Sequence, residues 1–365
     1  MPKLLTLQMA RGVAANIVVV GHLFEAEAIF RGANMPEFAV VYGGSGVDVF
    51  FVLSGFIMVA VAGRQVGPLA FLWRRVARIY PIYWLATFAT LALAIVSPTV
   101  VATLEQGSLW RSLLLIPAVT PPFVTVGWTL VHEMYFYLVF AGLLAMRIPI
   151  TVGLVGWGLS IVAMTITAPD QIAGSPLLQV ITHPLTAEFM MGALVGVLWL
   201  NSRMPGAHFA AIIGLATLPI EILVGYLFPE HAIIYGPQFN GLRVLVFGIP
   251  SALIIYGLAA AERRAPAPRT PSFMVALGDW SYSTYLMHGL VIGPFGHMLV
   301  VLDRSGGMAR SITLIVGGLI LSNIAGAIAH ICFERPTLRW LHQIGPSGGS
   351  ASHDPQVRDL QFPPS

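Results

Sequence analysis

Residues 6–29, TLQMARGVAANIVVVGHLFEAEAI, form an apolar run that nonetheless contains an arginine and a histidine. A helix needs about 17–25 apolar residues to cross a hydrocarbon core, so this run predicts a membrane span. Arg11 and His22 are eleven residues apart. On a helix their side chains therefore share one face, about 16 Å apart along its axis. Placing a charged side chain near the centre of a membrane costs about 2.5–3.5 kcal/mol of insertion free energy, so such residues usually face a protein interior. The run is therefore predicted to form part of an active site.

The composition places the chain among membrane proteins. Of its 365 residues, 56% are hydrophobic and 10% are charged, and the mean hydropathy of +0.80 lies well above that of a soluble domain. The single cysteine, Cys332, excludes a disulfide framework, a cysteine-rich zinc site and an iron–sulfur cluster. No histidine pair has metal-site spacing beside a carboxylate, so we predict no metal. The N-terminus has no cleavable signal pattern, and we expect its apolar run to be retained.

Ten apolar runs are long enough to span a membrane, which predicts an all-α polytopic membrane protein with about ten transmembrane helices. Fourteen of the nineteen basic residues fall in cytoplasmic segments if both termini are cytoplasmic, as the positive-inside rule requires. We find no repeat period or inverted-repeat signature, which weakens a transporter architecture. The predicted spans lie near 6–29, 45–62, 81–98, 127–146, 150–168, 180–200, 208–228, 241–261, 281–301 and 311–332.

The sequence predicts one membrane domain over residues 1–342 and a disordered cytoplasmic tail over residues 343–365. The tail is polar and rich in Gly, Ser and Pro, so it cannot bury enough apolar surface to fold alone. The longest outside loop, residues 99–126, could shape an entrance to the membrane domain.

A basic segment, LAFLWRRVARIYPIYW over residues 69–84, leads into the third predicted span. If it is helical, Arg75 lies three residues and Arg74 four residues before Arg78, so the three guanidinium groups cluster on one side. Arginine binds phosphate bidentately, so the cluster suits a phosphate-bearing ligand. Anchoring to anionic lipid heads explains the same charges equally well.

Two further spans carry polar residues near their starts. In YGGSGVDVFFVLSGFIM, residues 42–58, Asp48 could be an ordinary helix-start carboxylate, and Ser54 is more typical of close packing than of a nucleophile. In VGWTLVHEMYFYLVFAG, residues 126–142, Glu133 is expected at about the level of His22. An embedded carboxylate near an embedded histidine indicates acid–base chemistry, although Glu133 could also pair structurally with an arginine.

Five motifs occur together in a fixed order along the chain. They are Arg, ten residues and His in the first span; Ser-Gly-Phe in the second; Arg-x-x-Arg before Tyr-Pro-x-Tyr-Trp at the third; Gly-Trp-Thr-Leu-x-x-Glu in the fourth; and WSYSTYLMH over residues 280–288. In this order they resemble the membrane-bound acyltransferase family 3, over roughly residues 4–340. Bacterial members of that family include exopolysaccharide and O-antigen O-acyltransferases.

The resemblance implies transfer of an acyl group, usually acetyl, from cytoplasmic acyl-CoA to a hydroxyl of a carbohydrate or glycolipid acceptor facing outward. Arg11 and the cluster of Arg74, Arg75 and Arg78 would hold the CoA phosphates. His22 would meet the thioester and act as general base, since a neutral imidazole suits that task near pH 7. An acyl-histidine intermediate is equally open.

Other residues complete this hypothesis. Glu133 or Asp48 could orient the imidazole of His22 and stabilise the imidazolium, as the acid of a hydrolase triad does. Ser54, Trp128 and His288 are expected to contact the substrate, although packing explains His288 equally well. We expect the bacterial inner membrane as the location, membrane lipids as neighbours, no nucleic-acid partner and the option of a homodimer.

Two other function classes fit the embedded charges. A transporter or flippase for glycolipids or small solutes also uses embedded Arg, His and Glu, as proton relays. A membrane sensor or scaffold would use the basic segment for lipid binding and the polar groups for packing alone. Dependence on an acyl thioester separates the enzyme from both.

Overall fold

The computed structural model describes residues 4–31, 37–62, 67–95, 107–227, 243–263, 270–303 and 306–346, and within these ranges it contains helices and no strands. Helices suit such an apolar chain because they satisfy their own backbone hydrogen bonds. The helices are α1 (Leu5–Arg31), α2 (Glu37–Ala62), α3 (Pro68–Ala94), α4 (Leu109–Leu114), α5 (Trp128–Ala145), α6 (Ile150–Thr167), α7 (Pro169–Gly174), α8 (Pro176–Ile181), α9 (Leu185–Leu200), α10 (Ala207–Leu227), α11 (Ile249–Ala261), α12 (Ser272–Asp279), α13 (Ser281–Leu302), α14 (Met308–Ala329) and α15 (Arg335–Ile344).

Nine helical segments in the described ranges are long and apolar enough to cross a membrane, so the chain is a multi-pass membrane protein. Each of them overlaps one of the ten predicted spans. The remaining prediction, residues 208–228, lies on α10, whose side chains are described as far as Thr217 and which qualifies there as a shorter apolar helix. Of the predicted tail, residues 343 and 344 complete α15, and the part beyond residue 346 lies outside the described ranges. The cytoplasmic location of both termini stays a prediction.

Glycines let α2 and α9 approach closely at the centre of the bundle. A Cβ atom on Gly55 would lie 2.0 Å from the carbonyl oxygen of Phe189, and one on Gly192 would lie 1.9 Å from that of Val52. Such contact is impossible for any larger residue, so these helices cross backbone to backbone. The close crossing fixes the position of Ser54, next to Gly55, and explains the small residues of the Ser-Gly-Phe motif.

Three helices around the core have a defined relative direction. Near the start of α3, Phe71 packs on Phe140, which lies near the end of α5. Further along α3, the hydroxyl of Tyr83 donates to the carbonyl of Ser112, which precedes α5. Helices α3 and α5 are therefore antiparallel. Tyr282, at the start of α13, donates to the carbonyl of Ile79 on α3. The hydroxyls of Tyr285 and Thr129 then meet at 2.9 Å, which makes α13 antiparallel to α5. The bundle therefore has an arginine end, at the start of α3, and an opposite end at the start of α5.

Candidate active site

A column of polar side chains runs inside the bundle between α1, α3, α5 and α13. It begins at the arginine end with Arg11 and the cluster of Arg74, Arg75 and Arg78, and it ends with two histidines.

The three arginines of α3 have different surroundings. Arg74 is exposed, whereas the guanidinium of Arg75 lies 5.5 Å from the ring centre of Phe71 and 5.8 Å from that of Tyr137. The Nε atom of Arg75 has no hydrogen-bond acceptor among the described residues. Arg78 forms an ion pair with Glu334, and its side chain keeps 27% of its surface exposed. The helix thus offers charged donors that the protein itself does not fully use.

Glu334 joins Arg78 to two further helices. It lies in a π-helical turn, His330–Glu334, that connects α14 with α15, and such turns often mark functional positions. Its carboxylate accepts a hydrogen bond of 2.5 Å from Ser283 and lies 2.8 Å from Nδ1 of His330. Glu334 is 2% exposed, so its charge is balanced inside the protein by Arg78.

Arg11 reaches the same region from α1. It donates a hydrogen bond of 3.4 Å to Gln8, which itself donates to Asp279 at 2.7 Å. Arg11 also lies within electrostatic range of Arg78, Glu334 and Glu133. The arginine predicted from the first span is therefore grouped with those of α3.

Glu133 lies next along the column. Its Oε1 atom accepts a hydrogen bond of 3.1 Å from Ser54 and a short one from Tyr137, one turn further along α5. The structure thus brings together Ser54, Glu133 and Arg75, which contacts the ring of Tyr137. Their position is on the arginine side of the Tyr285–Thr129 contact.

His22 and His288 form a pair at the other end of the column. Nε2 of His288 lies 3.3 Å from Nδ1 of His22, and the ring centres are 4.8 Å apart. Nδ1 of His22 also lies 3.0 Å from the carbonyl oxygen of Val18. Since a carbonyl only accepts, this contact requires the hydrogen on Nδ1, and a neutral His22 then carries its basic lone pair on Nε2.

The two predicted carboxylates do not bond to His22 in this structure. Glu133 lies within electrostatic range of Tyr282 on α13. His288, which contacts His22, is six residues further along the same helix, so about 9 Å along the helix separates the level of Glu133 from that of the histidine pair. Among the described residues, the single Nδ1–H of His22 is shared between the carbonyl oxygen of Val18 and Nε2 of His288, so a second histidine contacts the ring.

Asp48 lies in a separate buried cluster. Its two oxygens accept hydrogen bonds of 2.9 and 2.6 Å from Nε and Nη2 of Arg243, which precedes the π-helical turn before α11. Nη2 of Arg243 also donates to the carbonyl of Gly44. Asp48 and Glu188 are both fully buried, and Glu188 lies next to Asp48. This cluster ties α2 and α9 to the segment before α11.

Trp128 lines a cavity of about 400 Å³ at the end of the bundle opposite the arginines. Part of the predicted outside loop, residues 108–122, forms one wall of this cavity. His132 and His183 form another, with ring centres 4.4 Å apart. Among the described residues, no group of three or more His, Cys, Asp or Glu could hold a metal ion, and the predicted absence of a metal stays a prediction.

Sequence reasoning missed four of these residues: Arg243, Glu334, His330 and His183. The criterion applied to Arg11, a charge inside or beside an apolar run, would also have selected Arg243 and Glu334. Their partners could not be found that way, because Asp48 and Arg243 are separated by 195 positions and meet only through helix packing.

A family profile described as an acyltransferase domain, acyltransferase family 3, matches residues 4–330. The chain is 32% identical over 324 residues to "Exopolysaccharide production protein ExoZ" of Rhizobium meliloti (strain 1021), covering 85% of this chain and 94% of the relative. It is 28% identical over 331 residues to "Acyltransferase MdmB" of Streptomyces mycarofaciens, covering 83% of each. No solved structure matches the chain significantly.

Proposed function

The chain belongs to acyltransferase family 3 and is an enzyme that transfers acyl groups; we propose that it moves an acetyl group from cytoplasmic acetyl-CoA to a hydroxyl of a cell-surface or exported carbohydrate. A carbohydrate acceptor is supported by the relative named for exopolysaccharide production. The bacterial inner membrane is the location that this substrate pair requires, since CoA is cytoplasmic and the product lies outside. Residues 1–342 would supply all of the chemistry.

The observation that carries this proposal is the polar column, with unused arginine donors at one end and a histidine pair at the other. Arg11, Arg74, Arg75 and Arg78 would bind the CoA phosphates, because guanidinium groups bond phosphate through charge-assisted pairs. The predicted distance of about 16 Å between Arg11 and His22 suits an extended pantetheine arm that places the thioester beside the histidines. Glu133 would line this path.

His22 would act as general base. Its Nδ1 atom is held by Val18 and His288, which leaves Nε2 for the proton of the acceptor hydroxyl. The hydroxyl oxygen then attacks the thioester carbonyl, the C–S bond breaks, and the proton passes from His22 to the departing CoA sulfur. Atoms and charge balance without a metal or redox partner. His288 would act as a positioning residue that fixes the imidazole of His22.

The test is His22→Gln in full-length protein reconstituted in lipid nanodiscs. We expect acetyl transfer to a pool of cell-surface oligosaccharides to fall by about 10²–10⁴-fold, the usual contribution of a general base. The readouts are release of free CoA thiol and the gain of one acetyl mass on the glycan. Binding of acetyl-CoA should remain, because the arginines that hold it are untouched.

His297→Gln provides the matched control, since His297 is exposed on the same helix as His288. Its transfer rate should equal that of the unaltered protein. Full transfer by His22→Gln would contradict the proposal, and acceptor modification that needs no acyl thioester would favour the transporter alternative.

A further inference from the structure

The cavity at the start of α5 has stiff walls. Its volume of about 400 Å³ falls in the range of about 300–1,000 Å³ typical of small-molecule sites. Proline fixes one backbone dihedral, so walls rich in proline hold their shape before a ligand arrives. The prolines that line this cavity are Pro117, Pro121, Pro122, Pro176 and Pro184.

His132, in the wall of this cavity, is hydrogen-bonded to the backbone of Val180 but has one ring nitrogen without a partner in the described part of the chain. It is 6% exposed, and its Nδ1 atom has no hydrogen-bond partner among the described residues. Its ring centre lies 5.7 Å from that of Trp128 and 4.4 Å from that of His183. Buried polar atoms in native proteins almost always have partners, so a ligand that donates to Nδ1 would complete the site.

The chemistry of the walls selects the class of ligand. A pyranose has a face of C–H groups, which suits the indole of Trp128, and a rim of hydroxyls, which suits histidine nitrogens and the amide of Gln179. Arg111 is the charged residue among the described lining residues, and no carboxylate accompanies it there. Uncharged and anionic sugars therefore fit better than a cationic amino sugar.

We infer that this cavity binds a sugar unit of the acceptor, with a hydroxyl of that unit donating to Nδ1 of His132. The bound unit is not the one that is acylated, because neither His22 nor His288 lines the cavity. Its contribution is to position a neighbouring unit of the same glycan, as binding at a distance from the reacting atoms does in many enzymes. This inference rests on the proposed function, from which it takes the carbohydrate acceptor.

The experiment measures glycoside binding by full-length protein in lipid nanodiscs, by saturation-transfer NMR with methyl β-D-glucopyranoside as the probe. Binding of acetyl-CoA, measured in parallel, reports on folding at the other end of the bundle. We expect His132→Gln to raise the dissociation constant of the glycoside by about tenfold and to leave acetyl-CoA binding unchanged. His208→Gln, at an exposed histidine outside the cavity, should change neither value.

A second variant blocks the cavity without disturbing the core. Val119 lines the cavity and is 90% exposed, so Val119→Trp should abolish glycoside binding in a folded protein. The matched control is Val301→Trp, at a position that is 72% exposed and lies outside the cavity. This variant decides the question if His132→Gln fails to bind acetyl-CoA.

Unaltered glycoside binding in Val119→Trp would overturn the inference, and so would the absence of glycoside binding in unaltered protein that binds acetyl-CoA. A cationic methyl glucosaminide that binds more tightly than the neutral glycoside would contradict the assigned ligand class. Failure of the proposed function gives a different result. In that case His22→Gln would retain full acetyl transfer while the cavity variants still lost glycoside binding.

Discussion

Arg243 and Arg75 both lie among apolar helices, but the protein uses their donors differently. Arg243 is 2% exposed, and Asp48 and the carbonyl of Gly44 accept hydrogen bonds from its guanidinium. Arg75 contacts the faces of two aromatic rings, and its Nε atom has no acceptor among the described residues. The charge of Arg243 is therefore balanced within the fold, whereas that of Arg75 remains available to an anion.

The comparison shows that burial of an arginine does not by itself indicate function. What separates the two is whether protein acceptors satisfy the donors, because a balanced pair stabilises a fixed packing and an unbalanced charge attracts a ligand. Arg78 is intermediate, since it pairs with Glu334 yet keeps 27% of its side-chain surface exposed. Substitutions at four positions test this distinction: Asp48, Arg243, Arg75 and Arg74.

The largest effect is expected at the balanced pair. Asp48→Leu removes the carboxylate that accepts two hydrogen bonds from Arg243 and leaves the neighbouring Glu188 to offset the buried charge, so we expect the free energy of unfolding to fall by as much as about 3–5 kcal/mol. The measurement is the thermal unfolding midpoint of the purified protein together with the yield of folded protein. A midpoint equal to that of the unaltered protein would show that this pair does not hold the fold.

The companion variant removes both charges. Asp48→Leu combined with Arg243→Met should recover most of the lost stability, since replacing a buried ion pair by apolar residues is often neutral. This double variant also tests the predicted role of Asp48 in orienting His22. A stable double variant that has lost acetyl transfer would assign Asp48 to the reaction after all.

A smaller effect, on binding rather than stability, is expected at Arg75. Arg75→Gln removes a guanidinium whose Nε atom has no acceptor among the described residues, so acetyl-CoA should bind about 10–100-fold more weakly while the unfolding midpoint changes little. The measurement is the dissociation constant of acetyl-CoA in nanodiscs. Arg339→Gln, at an exposed arginine on α15, is the control. Unchanged affinity in Arg75→Gln would remove Arg75 from the donor site.

Much of the fold could be predicted from the sequence, because a membrane span must be apolar over a minimum length. Hydropathy failed at the start of α3, which begins at Pro68, although the predicted span begins at residue 81. The arginines of residues 74–78 lower the local hydropathy, although Arg78 pairs with the buried Glu334 and Arg75 packs against two aromatic rings. The same limit applies to α15, which continues the helical segment that begins at Met308. Its polar residues lower the hydropathy, so the predicted span ended at residue 332.

The site was predictable only along single helices. The spacing of Arg11 and His22 follows from helix geometry alone, and so does the clustering of the α3 arginines. Pairing across helices depends on how each helix is rotated, which the apolar pattern of a membrane helix specifies weakly. For this reason the contact of His22 with His288 and the separate placement of Asp48 required the structure.

The smallest effect is expected at Arg74, which shares its helix and sequence motif with Arg75 but is exposed. Water and salt screen an exposed charge, so Arg74→Gln should weaken acetyl-CoA binding by about threefold at low salt. That loss should disappear as the ionic strength is raised, whereas the loss in Arg75→Gln should persist to a greater extent because the charge of Arg75 is half-buried and therefore screened less. Titrations of both variants at two salt concentrations therefore measure the contribution of burial directly. If Arg74→Gln weakens binding more than Arg75→Gln does, phosphate recognition occurs at the surface of the bundle, and the unsatisfied donor of Arg75 has another role.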